Sequence, residues 1–262
     1  MDFICRRGEC GICGLYSIGH IIYLIVLLSL VGLGLYLSRN VSKEGIRKQT
    51  FIIAVCIAVA EVLKITYNFV YGYWHVNWWL PISFCALFLY TTWMALSKNK
   101  TISQVGKMWI TVGAIMGGIS YLLYPSTSLT EVQAFHFLAL HGMSYHATML
   151  YLGLLYFLHD EAVPTWKNFK YYALFCLIVF TGVIIMDYSF NVNLMFFADA
   201  KILPDIAKAV CKASRPLFTV IVVCFYIFLP YTIVNLLMHI RDFIRKQKVD
   251  VLEVEEESIQ AK

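Results

Sequence analysis

Residues 18–37 read IGHIIYLIVLLSLVGLGLYL, twenty residues without one Asp, Glu, Lys or Arg. Wound as a helix at 1.5 Å per residue, such a run covers the roughly 30 Å of hydrocarbon in a bilayer. Six more runs of comparable length follow, at about 51–71, 80–97, 107–124, 133–157, 170–188 and 217–239. The expected fold is therefore all-α, a polytopic membrane helix bundle of about seven transmembrane helices. The chain is 60% hydrophobic and 14% charged, against about a quarter charged in soluble domains. With 262 residues, spans and short connections use up nearly the whole length. No soluble catalytic domain fits in the remainder, so any chemistry must occur within the bundle or at its rim. Residues 18–37 are also where a signal peptide would lie. The flank Leu35-Tyr36-Leu37-Ser38-Arg39 offers no small-residue cleavage site, so the first span is expected to be retained.

Three regions follow: a Cys-rich segment at 1–17, a single transmembrane domain at 18–240, and a charged tail at 241–262. Lys and Arg in the loops set the orientation. With seven spans, one side holds Arg6, Arg7, Lys201, Lys208, Lys212 and Arg215, and the other holds fourteen cations. Lys64, within a span, completes the 21. The N-terminus is thus expected outside or in the lumen, and the C-terminus in the cytosol. The sequons at Asn40 and Asn99 then face the cytosol and should stay unmodified. The net charge of +5 fits anionic headgroups on the cytosolic face, and no nucleic-acid partner is expected. Of the eight cysteines, Cys5, Cys10 and Cys13 lie in the N-terminal segment. Three thiols cannot all pair internally, so one disulfide and one free thiol are expected in an oxidising lumen.

The polar residues inside the spans carry most of the information about chemistry. Glu61, Lys64 and Asn68 recur on one face of the second span. They make either a structural ion pair or the polar wall of a site. Cys85 follows Leu80-Pro81-Ile82-Ser83-Phe84, with Pro81 placed in a first helical turn. Gly113, Gly117 and Gly118 in the fourth span suit close helix packing. The fifth span carries His136, His141 and His146. Successive steps of five turn about 140° around a helix, so the three do not make one metal-binding face, and no metal or cofactor is expected. Counted from the lumenal ends, Cys85 lies about 8 Å deep, Lys64 about 10 Å, His141 about 12 Å and Glu61 about 15 Å. A thiol and an imidazole at one level can serve as nucleophile and base. The sixth loop, with Asp187, Asn191 and Asn193 ahead of Leu194-Met195-Phe196-Phe197, is either a lid or a surface connection.

Leu80 to Cys85 resembles the L-P-L-x-L-C segment of the YwaF / transmembrane protein 164 family of integral membrane acyltransferases. The likeness continues through the Gly-rich fourth span, Leu122-Leu123-Tyr124-Pro125, Phe135-His136-Phe137 with His141, and Asn193-Leu194-Met195-Phe196-Phe197. It covers roughly 45–235. Ile82, Ser83 and Leu194 depart from the family pattern. The resemblance implies Cys85 as nucleophile and His141 as its base. It also implies acyl transfer, with polyunsaturated chains, between phospholipid and lysophospholipid, ether-linked acceptors included. A thiol in apolar surroundings resists ionisation, so it needs a base or a cation; His141 and Lys64 fit those roles. Asn68, Asn193 and Ser83 are the oxyanion-donor candidates. Water in place of the acceptor would give a lipid ester hydrolase. A non-catalytic receptor or transporter is the other alternative. However, the third span does not end in D-R-Y, the last carries Leu229-Pro230-Tyr231, and no internal repeat of transporter type is evident. An endomembrane, or the plasma membrane in a bacterium, is the expected location.

Overall fold

The computed structural model describes residues 3–200 and 205–260, with side chains through 247. Lys201, Lys262 and the acidic side chains at 253–257 lie outside the described residues. Helices are the regular elements of the described residues, and no strand is found among them. The helices are α1 (Ile18–Leu37), α2 (Lys43–Val70), a short α3 (Val76–Trp79), α4 (Leu87–Ala95), α5 (Lys100–Trp109), α6 (Ile115–Leu123), α7 (Phe137–Leu158), α8 (Phe169–Phe190), α9 (Asp205–Ala213) and α10 (Arg215–Gln260).

Short polar side chains begin several of them. Ser17, Ser42 and Asn99 accept the free N–H groups at the starts of α1, α2 and α5, as N-caps do. His136 plays the same part for α7, its Nδ1 accepting from Leu138 N at 3.1 Å. A π turn, Ile110–Ala114, joins α5 to α6. Its extra residue re-aims the helix, and all five of its residues are buried.

Five helical stretches are long and apolar enough to cross a membrane: Ile18–Leu37, Lys43–Val70, Lys100–Leu123, Trp166–Phe190 and Arg215–Gln247. The other two expected spans, 80–97 and 133–157, are not among these five. The run at 80–97 is not one helix. Residues 80–86 are irregular and only the nine residues of α4 are helical. The residue before a proline is driven toward extended backbone, and Leu80 is extended with ψ 116°. Irregular backbone at membrane depth is tolerated where protein or a cavity surrounds it. Cys85 therefore sits in the turn before α4 and not two turns inside a helix, so the depth counted for it does not hold. α7 has 22 residues, enough length to cross, but carries His141, Ser144 and His146. It lies at the centre of the bundle against α1, α2 and α6, where protein and not lipid is its solvent.

The connections gather at two ends. At one end Gly8 N donates to Glu131 O, Phe137 N to Phe3 O and Arg7 N to Tyr73 Oη, which joins the N-terminal segment to the α2–α3 and α6–α7 connections. At the other end His159 Nε2 donates to Ser38 O (3.0 Å), Arg47 to Leu96 O (3.0 Å), and Arg241 reaches Asp160 (2.6 Å). Large aliphatic side chains of α1, α2, α8 and α10 face outward, as lipid-facing surfaces do.

α6 and α7 meet backbone to backbone. A Cβ on Gly118 would lie 2.9 Å from His146 O and 3.0 Å from Leu150 N, so this glycine does what the small-residue pattern led us to expect. Gly118→Ala is expected to force the two helices apart and to destabilise the protein by about 1–3 kcal/mol. A thermal unfolding midpoint in detergent checks this.

Candidate functional site

At the end of the bundle that holds the N-terminus, a cavity of about 650 Å³ opens between α2, α6, α7 and the irregular 80–86 segment. That is a volume suited to a small-molecule or lipid-headgroup ligand. Glu61, Lys64, Cys85, His141 and Asn193 all line it. Residues from four separate stretches of chain thus share one space.

Cys85 is held from two sides. Tyr145 Oη donates to its carbonyl at 3.2 Å. Its Sγ lies 3.5 Å from the position a Cβ on Gly117 would take, so the glycine leaves room for the sulfur. The turn ahead of α4 also matters. Leu87 N, Phe88 N and Leu89 N find acceptors at residues 83–86, and Ala86 N approaches Ser83 Oγ at 3.4 Å. The Phe84 and Cys85 N–H groups, in the turn ahead of α4, have no acceptor among the described residues.

The His141 side chain is 8% exposed, and its Nε2 lies 3.7 Å from Glu61 Oε2. The other Glu61 oxygen pairs with Lys64 one turn along α2. Glu61 itself is 4% exposed, so its charge is compensated inside the protein, as a buried carboxylate requires. The ring of Tyr145 stacks on His141 with centroids 5.8 Å apart. Both readings of Glu61 and Lys64, ion pair and cavity wall, therefore describe the same two side chains.

The three histidines of the fifth expected span part company here. His136 leaves the cavity. Its Nδ1 caps α7, so its Nε2–H donates to Cys5 O at 3.0 Å. His146, set aside in favour of His141 on sequence grounds, also lines the cavity. Its Nδ1–H donates to Gly142 O at 2.7 Å. That bond fixes the tautomer and leaves Nε2 a lone-pair acceptor, buried and without a partner among the described residues. The Tyr121 ring stacks on it at 3.5 Å with 6° between planes. The cavity is broad enough to touch two sides of α7, which a helical projection does not reveal.

Two expected oxyanion donors are committed elsewhere. Asn68 is fully buried and absent from the cavity lining. Its Nδ2 donates to Trp78 O at 2.6 Å and its backbone carbonyl accepts from Tyr73 N at 2.8 Å, tying α2 to α3 and the connection before it. Asn193 lines the cavity, but its Nδ2 donates to Asp199 O (2.9 Å) and its Oδ1 accepts from Ala198 N (3.2 Å). It shapes the loop after α8. That loop supplies Leu194, Met195 and Phe196 to the cavity, and the Leu194 amide is held by Asp187 Oδ1 at 2.9 Å. Ser83 lines the cavity too, and its hydroxyl oxygen accepts from Ala86 N at 3.4 Å, which leaves the hydroxyl proton available as a donor.

Taken together, the fold and the cavity define a helical membrane protein with a thiol, two imidazoles and a carboxylate around an internal space. The sequence model of the TMEM164 family matches residues 15–240, and the chain belongs to that family. No curated protein matches it, and no solved structure does.

Proposed function

We propose that this chain is an intramembrane cysteine-dependent acyltransferase. It moves a fatty acyl chain, polyunsaturated by preference, from a phospholipid to a lysophospholipid, ether-linked acceptors included. The single observation that carries this reading is the cavity that holds Cys85, His141 and Glu61 on its walls.

In the first step His141 takes the Cys85 proton, and the thiolate attacks an ester carbonyl of the donor lipid. The oxyanion forms against the Ser83 hydroxyl and the free N–H groups of the turn before α4. The carbonyl–oxygen bond to glycerol then breaks, and the departing alkoxide takes the proton from His141. An acyl-thioester remains on Cys85. In the second step His141 takes the proton of a lysophospholipid hydroxyl, whose oxygen attacks the thioester. The thiolate leaves and recovers the proton. Water in the acceptor's place would give hydrolysis on the same residues. Glu61 orients the imidazole, and the scheme calls on no metal or cofactor.

In the same reading α7 and the 80–95 segment complete seven passages through the bilayer. The cavity end is then lumenal or external and the C-terminus cytosolic, in an endomembrane of a eukaryote or the plasma membrane of a bacterium.

The test is acyl transfer in proteoliposomes holding a phospholipid donor and a lysophospholipid acceptor, with products read by mass spectrometry. Acylated acceptor is expected from the purified protein. A purified protein that binds lipid but produces neither acylated acceptor nor free fatty acid would contradict the proposal. Glu61→Gln is expected to lower kcat by about 10²-fold, the loss that follows from misplacing a reacting group by about 1 Å, with KM little changed. A KM effect alone would reassign Glu61 to binding.

A further inference from the structure

In the sequence the N-terminal segment stands out only by its cysteines and its charge. In the structure it lies along the α6–α7 connection. Gly8, Cys13 and Gly14 N–H groups donate to Glu131 O, Val132 O and Leu129 O. Tyr67 Oη donates to Cys5 O at 2.5 Å. Cys5 and Cys10 form a disulfide, and Cys13 stays free. This docking carries Arg7 into the wall of the cavity that Cys85 and His141 line.

Arg7 is held like a tool in a clamp. Its backbone N–H donates to Tyr73 Oη at 3.0 Å. Its guanidinium lies over the Trp78 ring at 4.3 Å and the Tyr73 ring at 5.5 Å. One terminal nitrogen, Nη1, pairs with Glu131. The opposite edge is uncommitted: Nε is buried without a partner among the described residues, and no bond to Nη2 is present among them. A guanidinium edge with two parallel N–H groups matches two oxygens of a phosphate. The other cation in the cavity, Lys64, is already paired with Glu61.

We infer that Arg7 binds the phosphate of a glycerophospholipid or lysophospholipid in the cavity, so that the N-terminal segment forms the headgroup end of the site. The inference rests on the lipid-substrate reading above. It goes beyond it because Arg7 lies outside residues 15–240, the part that matches the family. Selection for a phosphate-bearing lipid then comes from a segment outside the family match.

The test reads binding separately from turnover. Alkylation of Cys85 by a small maleimide is followed by peptide mass spectrometry while a protecting ligand is titrated. The ligands are a lysophospholipid, a monoacylglycerol of the same chain, and inorganic phosphate. In the wild type the lysophospholipid is expected to protect at least tenfold more tightly than the monoacylglycerol. Arg7→Ala should weaken lysophospholipid protection about tenfold or more and leave monoacylglycerol protection unchanged. Arg7→Lys, which keeps the charge and loses the fork, should recover only part. Glu131→Gln, which releases Nη1, should tighten lysophospholipid protection. Competition by inorganic phosphate would show that the phosphate group alone is recognised, and its absence that the lipid is required for binding; lysophospholipid protection that depends on Arg7 supports the inference in both cases. Equal loss for both lipids, or weakening by Glu131→Gln as well, would assign Arg7 a purely structural role and overturn it. Arg7-dependent protection in a protein that transfers no acyl group would sink the acyltransferase reading while leaving this one standing. Acyl transfer indifferent to Arg7 with either acceptor would do the reverse.

Discussion

Cys85→Ala is expected to leave a folded protein with no measurable acyl transfer, a loss of roughly 10⁴-fold or more, as when a covalent nucleophile is removed. The fold should survive because Cys85 lines the cavity and its sulfur lies in the Gly117 gap, so alanine removes little packing. The anchoring bond from Tyr145 goes to the Cys85 carbonyl, which alanine keeps. The unfolding midpoint should therefore move little, and activity should vanish. Cys85→Ser sharpens the point. It keeps the size and a hydroxyl, but a hydroxyl ionises far less readily than a thiol, so it too should fall to near background. Full activity in Cys85→Ala would mean that acyl groups pass directly from lipid to lipid.

The second large effect belongs to the imidazoles. His141→Gln is expected to lower kcat by about 10²–10⁴-fold, the usual contribution of a positioned general base, with KM for the acceptor nearly unchanged. His146→Gln should cost less. His146 is held by Gly142 O and the Tyr121 ring, whereas His141 alone faces a carboxylate that can orient it. The opposite order, with His146→Gln inactive and His141→Gln nearly normal, would move the base five residues along α7. Its free Nε2 makes His146 the natural replacement.

Much of the fold could be read before the structure because lipid imposes a simple rule on the outer helices. α1, α2, α8 and α10 turn their aliphatic side chains outward, and a long apolar run is all that such a position needs. The rule loses its grip at the centre. Hydropathy cannot tell a segment soaked in lipid from one wrapped in protein, so the 80–86 turn looked like the start of a helix. The same blindness hid the reach of the cavity around α7, and with it His146.

Asn68 shows a different limit. Spacing on α2 groups it with Glu61 and Lys64, but its side chain meets the backbone of Trp78 and does not line the cavity. Arg7 was counted as one more charge setting topology, because nothing in its neighbours announces where the N-terminal segment docks. Cys85, His141, Glu61 and Lys64, from three separated stretches, do line one space. They were legible because ionisable groups and a thiol amid apolar runs stand out, and because the resemblance around residues 80–85 pointed to the thiol.

The most direct measurement is to mix the protein with donor phospholipid alone, quench with acid and weigh the Cys85 peptide. This peptide is expected to gain the mass of one acyl chain. The adduct should be removed by neutral hydroxylamine, and it should disappear when lysophospholipid is added, as fast as the acylated product forms. Transfer that proceeds while Cys85 never carries an acyl group would contradict the acyl-thioester mechanism.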